Sequence, residues 1–250
     1  MHNLAGHFGA VADAYERGRP DHPPAVAGAI AAELRVRPGD PVLDLAAGTG
    51  KLTRALLGAG LDVVAVEPQE ALREVLVRNV GAERVRSGFA EAIPLPDHSV
   101  AAVTVADAFH WFDGARAIRE IARVLRPAGA LAVVWLTPAW SGASWAHEVG
   151  QLVAGARGAH PGYDGPTWRE RIEQAGGWSA PWEFRLTVAQ PTSVDRVVDH
   201  VRSMSWIAAM AEPEREELLG RVREIIQRGE GPPELTVHFE VGLARRIAAG

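Results

Sequence analysis

The stretch of this chain best suited to chemistry is Val42–Thr53, VLDLAAGTGKLT. A short apolar run passes into a turn of small residues, Ala46-Ala47-Gly48-Thr49-Gly50, and then directly into a helical pattern. Glycine in such a turn permits positive φ and lets a ligand come close to the backbone. A phosphate loop of the form G-x-x-x-x-G-K-[ST] would match Gly50-Lys51, but Leu52 occupies the Ser/Thr position and Leu45 the first glycine. A dinucleotide fingerprint G-x-G-x-x-G would match Gly48 and Gly50, but Thr53 stands at its third glycine. Glu67, at the tip of a second apolar run, can accept hydrogen bonds from both hydroxyls of a ribose. Standing alone, it also reads as a solvated loop residue before the helix-starting Pro68.

S-adenosylmethionine offers a third reading of the turn, because it has no pyrophosphate and needs no anion-binding helix start. It does need a close glycine turn and a ribose-binding acid, although the acid would serve NAD equally well. Further along, His110-Trp111 follows an apolar run and would point into the same crevice. Histidine there can act as a base or as a donor to an acceptor oxygen, or can simply bond the backbone while Trp111 packs. Seven of the eight tryptophans fall at or after Trp135. Aromatic faces attract a cationic sulfur and can line a pocket; Trp135, Trp140 and Trp206 are the pocket candidates, with Trp168, Trp178 and Trp182 left to packing. The histidines show no H-E-x-x-H or other ligand pair, so no metal is expected. Asp97 and Asp107 read as a turn residue and a strand-end residue.

These residues need a scaffold, and the pattern supplies one. Apolar runs at 41–46, 61–67, 84–86, 100–106 and 130–136 alternate with helix-period segments at 51–59, 70–80 and 115–125. Strands apolar throughout and separated by helices call for a sheet covered on both faces, with ligands beyond the carboxyl ends of its strands. After Trp135, helical pieces near 145–156, 167–175, 194–204 and 213–228 accompany two alternating strands, 182–188 and 234–243. The expected fold is α/β: a doubly wound, mostly parallel seven-stranded sheet in one domain, 1–250. Residues 1–35 would form an N-terminal helical lid, 36–137 the cofactor-binding core, and 138–250 an acceptor cap with the closing strand pair.

Taken in order, Asp44-Leu-Ala-Ala-Gly-Thr-Gly, Val-Glu67-Pro and Gly88-Phe-Ala-Glu91-Ala-Ile-Pro-Leu-Pro-Asp97 resemble the first three motifs of class I S-adenosylmethionine-dependent methyltransferases. His7-Phe8…Tyr15…Arg19-Pro20 and Ala108-Phe-His-Trp-Phe-Asp113 are similar to the trans-aconitate methyltransferase-like group of small-molecule enzymes. The resemblance implies that Asp44, Ala46 and Gly48 contact the methionine part, with Gly50 setting the turn. It implies that Glu67 holds the ribose, with Pro68 or Gln69 beside the adenine, and that Ala90 and Glu91 meet the adenine edge. The backbone of Ala106 would meet the methionine amino group. Tyr15 and Arg19 would belong to the lid, with Tyr15 and His110 as the candidate catalytic residues and Trp111 beside them in the acceptor pocket. Many class I members carry an aspartate where this chain has Phe89, which moves weight to Glu91 for recognition of the adenine amino group.

Composition bounds the rest. The 250 residues carry 26 Lys+Arg against 31 Asp+Glu, a net charge of −5 spread evenly, with no basic face for nucleic acid or an anionic membrane. With no cysteine, thiolate chemistry, disulfides and thiolate metal sites are excluded. No secretory signal or membrane-length apolar run is visible, so a cytoplasmic protein is expected, as monomer or homodimer. One lysine among 26 basic residues, with abundant Ala, Gly and Pro, suggests a GC-rich bacterial genome, and the resemblance implies a small-molecule acceptor. The expected reaction is O-methylation of a carboxylate or hydroxyl. N- or C-methylation of a natural-product intermediate and a non-catalytic cofactor-binding protein are the alternatives.

Overall fold

The computed structural model describes residues 12–141, 143–157, 167–229 and 234–247. His7 and Phe8 of the N-terminal motif lie outside them. Two helices open the described chain, α1 (Ala12–Gly18) and α2 (Pro24–Leu34). The alternating block follows: β1 (Pro41–Leu45), α3 (Lys51–Gly58), β2 (Asp62–Val66), α4 (Glu70–Val80), β3 (Val85–Arg86), β4 (Val100–Ala106), α5 (Gly114–Val124) and β5 (Leu125–Pro138). The C-terminal part comprises α6 (Ser144–Gly155), α7 (Trp168–Ala175), β6 (Trp182–Pro191), α8 (Val194–Arg202), α9 (Ser205–Ala208), α10 (Glu212–Gln227) and β7 (Glu234–Arg245). Most of these lie within two residues of the sequence expectation. The main departure is β5, which begins at Leu125 rather than Ala130 and runs through Pro127–Gly129, with a register shift between Val100 and Ala102 of β4.

All seven strands join one sheet in the order β3-β2-β1-β4-β5-β7-β6. The sheet is mixed, which corrects the expectation of a mostly parallel one. Parallel pairing covers β3 to β5, but β5 pairs antiparallel with β7 over Ala130–Pro138, and β7 antiparallel with β6 over Trp182–Pro191. These two ladders are the longest among the described residues; β6 alternates half-buried and exposed residues, and β7 alternates along its first half before being buried throughout Val241–Ala244. The central strands are buried on both faces. On β1, Val42 packs with α2 and α3 through Ile30, Leu52 and Leu56, while Leu43 packs with α5 through Ile118 and Ile121 on the opposite side. Each such fully buried aliphatic side chain contributes roughly 1.5–3 kcal/mol.

Of the C-terminal helices, α6, α8, α9 and α10 share the α2–α3 side, where Val149, Val201, Ile207 and Val222 join one core with Phe239 of β7, while α7 packs on the α5 side through Ile172. Strand order reverses between β1 and β4, so the carboxyl ends of these two neighbours open a crevice. Both exits are strained. Ala46 after β1 and Asp107 after β4 sit at φ 57° and φ 50°, left-handed values that non-glycine residues adopt at a cost.

Candidate active site

Inside the crevice the β1 turn is built by its own hydrogen bonds. Gly48 has φ 59° and Gly50 has φ 88°, and Gly50 caps α3. A Cβ on Gly50 would lie 2.6 Å from Leu76 Cδ1, so this position needs glycine for conformation and for space. One on Gly48 would find only Tyr15, at 3.8 Å, so the Tyr15 ring stands over the turn. Glu67 ties β2 to the turn: one carboxylate oxygen accepts from Gly48 N–H and the other from Gln69 N–H, both at 2.8 Å. Burial raises its pKa to about 7, against the lowering effect of those two backbone donors. The Pro68 carbonyl accepts from Arg73 at 3.0 Å.

Asp44 is buried, and its two oxygens accept from the Thr53 hydroxyl at 2.6 Å and the Thr104 hydroxyl at 3.0 Å. Burial still lifts it to about 6, with the hydroxyls pulling the other way. Asp44 therefore clamps β1 to α3 and β4 as well as reaching the crevice. The crevice floor is a small cavity of about 30 Å³ whose wall includes Tyr15, Arg19, His22, Asp44, Ala46 and Ala106. Three polar groups there have buried atoms with no hydrogen-bond partner among the described residues: Arg19 Nε, Thr49 Oγ1 and both ring nitrogens of His22. Lys51, the only lysine, also lines it and holds Asp21 at 2.7 Å. Tyr15 is pushed up to about 12, chiefly by burial, so its hydroxyl stays protonated at neutral pH.

A second, larger cavity of about 810 Å³ adjoins the first, and Arg19, Asp107 and Leu136 belong to both walls. Arg19 reaches Asp107 at 3.2 Å and lies over the Tyr15 ring. His110, Trp111, Trp135, Trp140 and Trp206, the sequence candidates for an acceptor pocket, all line this cavity. His110 and Trp111 share a short 3-10 turn, with ring centroids 4.6 Å apart. Trp168, assigned to packing from sequence, is also in this wall, 6.2 Å from Trp135; Gly242 makes room for it, since a Cβ there would fall 2.2 Å from Trp168 Cζ2. Its indole N–H donates to Glu183.

Sequence reasoning also missed Arg171, Arg185, His200 and Glu240 in this wall. Their alternation or helical spacing looks like ordinary surface, and only the folding of α7, α8 and the strand pair over β4 brings them together. Ala90 and Glu91 line neither cavity. Ala90 is buried, and Glu91 accepts from Asp113 N–H at 2.8 Å, tying its loop to the start of α5. Phe89 is 45% exposed beside them.

Comparison with known proteins decides the family. Residues 43–133 match the methyltransferase-domain family. An uncharacterized methyltransferase of Mycobacterium tuberculosis is 39% identical over 220 residues, covering 88% of this chain and 85% of that protein. The chain is an S-adenosylmethionine-dependent methyltransferase of class I. A second uncharacterized methyltransferase, from Schizosaccharomyces pombe, is 32% identical over 85% of this chain and 84% of its own. The solved structure of a putative type II methyltransferase from Anaeromyxobacter dehalogenans superposes with a TM-score of 0.63 at 25% identity, covering 93% of this chain and 99% of that one. This methyltransferase has no helix, among its described residues, long and apolar enough to cross a membrane, and no cluster of three or more groups able to hold a metal ion.

Proposed function

We propose that this methyltransferase holds S-adenosylmethionine over the β1 turn and methylates an oxygen of a small carboxylic acid in the larger cavity. The observation that carries the reading is the shared wall. A small cavity at the exits of β1 and β4 meets a tryptophan-lined one across Arg19, Asp107 and Leu136. The larger cavity, about 810 Å³, falls within the roughly 300–1,000 Å³ common for small-molecule sites.

The residues fit the cofactor. Each oxygen of the Glu67 carboxylate accepts one backbone N–H, which leaves lone pairs for the ribose hydroxyls. The buried donors Arg19 Nε and Thr49 Oγ1, together with the Lys51 ammonium, suit the methionine carboxylate, and the Ala106 backbone suits its amino group. Gln69 and Pro68 flank the adenine position, with Ala90 and Glu91 on its edge. The bound group supplies a methyl carried on a cationic sulfur. The residues of this chain supply alignment and desolvation, worth up to roughly 7–11 kcal/mol. At about 30 Å³ the small cavity is far too small for a nucleoside, so α1, with Tyr15 on it and Arg19 just after it, acts as a lid that lifts to admit the cofactor. Residues 138–250 cap the acceptor.

A carboxylate is already ionised at neutral pH and needs no base. The narrower likeness to trans-aconitate methyltransferases supports the same acceptor class. The test is incubation with methyl-labelled cofactor and a panel of small acids, alcohols and amines. Label in an alkali-labile product of an acid is expected. Alkali-stable label from alcohols or amines alone, or cofactor binding without transfer to any acceptor, would overturn the carboxylate reading.

A further inference from the structure

His200 lies on α8, 1% exposed, in the wall of the larger cavity. Neither ring nitrogen has a hydrogen-bond partner among the described residues. The ring faces Trp140, 6.2 Å away between centroids. A buried imidazole left so is costly, and a group in a cavity wall is satisfied by what the cavity binds. The backbone that carries the ring is held in place. Gly18 of α1 packs so closely on α8 that a Cβ would lie 2.1 Å from His200 N, and Arg17 grips the neighbouring Asp199 at 2.7 Å.

Resting on the reading above, we infer that His200 binds the acceptor: its neutral imidazole donates a hydrogen bond to an oxygen of a carboxylate whose apolar body lies among the tryptophans. Burial first, then the charges of Arg19 and Lys51, hold His200 well below the ordinary histidine range. An imidazolium would therefore be repelled twice over and poorly solvated, which disfavours a base that must become charged. Arg171, in the same wall, favours an anionic ligand. A neutral ring still has one N–H to give, and the residue is thus a recognition group rather than a proton acceptor. Trp111, Trp135, Trp140 and Trp168, which line the same cavity, suit a flat apolar body.

The experiment uses the full chain saturated with the demethylated cofactor, S-adenosylhomocysteine. Phenylacetate and indole-3-acetate serve as probes, and phenylacetamide as the uncharged isostere, in calorimetry. Both acids should bind more tightly than the amide. His200→Phe, which keeps ring volume, should weaken the acids by about 10- to 100-fold, leave the amide within a few-fold, and leave S-adenosylhomocysteine affinity unchanged. His200→Gln, which retains an N–H donor, should restore part of the loss and serves alone should the Phe variant misfold. Acids that bind wild type and His200→Phe alike, an amide that binds as well as the acids, or no saturable binding of either acid would each overturn the role of His200. Absence of S-adenosylhomocysteine binding to wild type would instead remove the cofactor reading beneath it.

Discussion

Glu67 and Gly50 carry the most testable chemistry at the scale of single residues. The Glu67 carboxyl, raised by burial from 4.5 to about 7, accepts ribose hydroxyls best when ionised. Affinity for S-adenosylhomocysteine should therefore strengthen between pH 6 and pH 8. In Glu67→Gln that pH dependence should vanish and affinity should fall by about 1.5–3 kcal/mol, the scale of hydrogen bonds to a charged group. The stability effect has the opposite sign. Because the folded pKa lies above the unfolded one, ionising Glu67 costs stability, so wild type should lose ground to Glu67→Gln as pH rises from about 4.5 to 7 in denaturant titrations. Gly50 tests space as well as conformation. With φ 88° and a Cβ that would meet buried Leu76 at 2.6 Å, Gly50→Ala should cost about 1–3 kcal/mol. Gly48→Ala meets nothing closer than 3.8 Å and should cost about 1 kcal/mol for its φ alone, by the same titration. The reverse order would refute the packing account of the turn.

Elements act here as pairs, and the pair that matters is α1 with α8. Arg17 with Asp199 is an exposed ion pair of little worth by itself. The close backbone approach at Gly18 is what fixes α1, and it lets Tyr15 and Arg19 face the β1 turn while His200 faces the larger cavity. Gly18→Ala would force α1 off α8, because the obstacle at 2.1 Å is backbone and cannot rotate away. The expected result is faster hydrogen exchange across Ala12–Gly18 and weaker binding of cofactor and acceptor together, with core exchange unchanged. Unaltered exchange in α1 would show that the helix does not depend on that contact. The chain pattern made α8 legible as a helix, with Val197, Val198 and Val201 on one face. It could not show that His200, one position from that stripe, joins a cavity, since a buried polar residue beside apolar ones looks like any helix flank.

For the whole molecule, the antiparallel strand pair both covers β5 and completes the acceptor wall. The family match ends at residue 133, inside β5. A chain ending at Gly176 would keep every cofactor candidate, yet would leave β5 without β7 and expose an apolar edge, which is an aggregation template. Size-exclusion chromatography should find it aggregated; a monodisperse folded fragment would show that the strand pair is dispensable to the core. The order of elements, the β1 turn and Glu67 were legible in the sequence because they depend on local periodicity and on backbone conformations that few residues adopt. Mixed sheet direction, the two adjoining cavities, and the company kept by Arg19, Trp168 and His200 were not. Those arise from which distant surfaces bury one another, a property of side chains far apart in the chain, and only tertiary packing decides it.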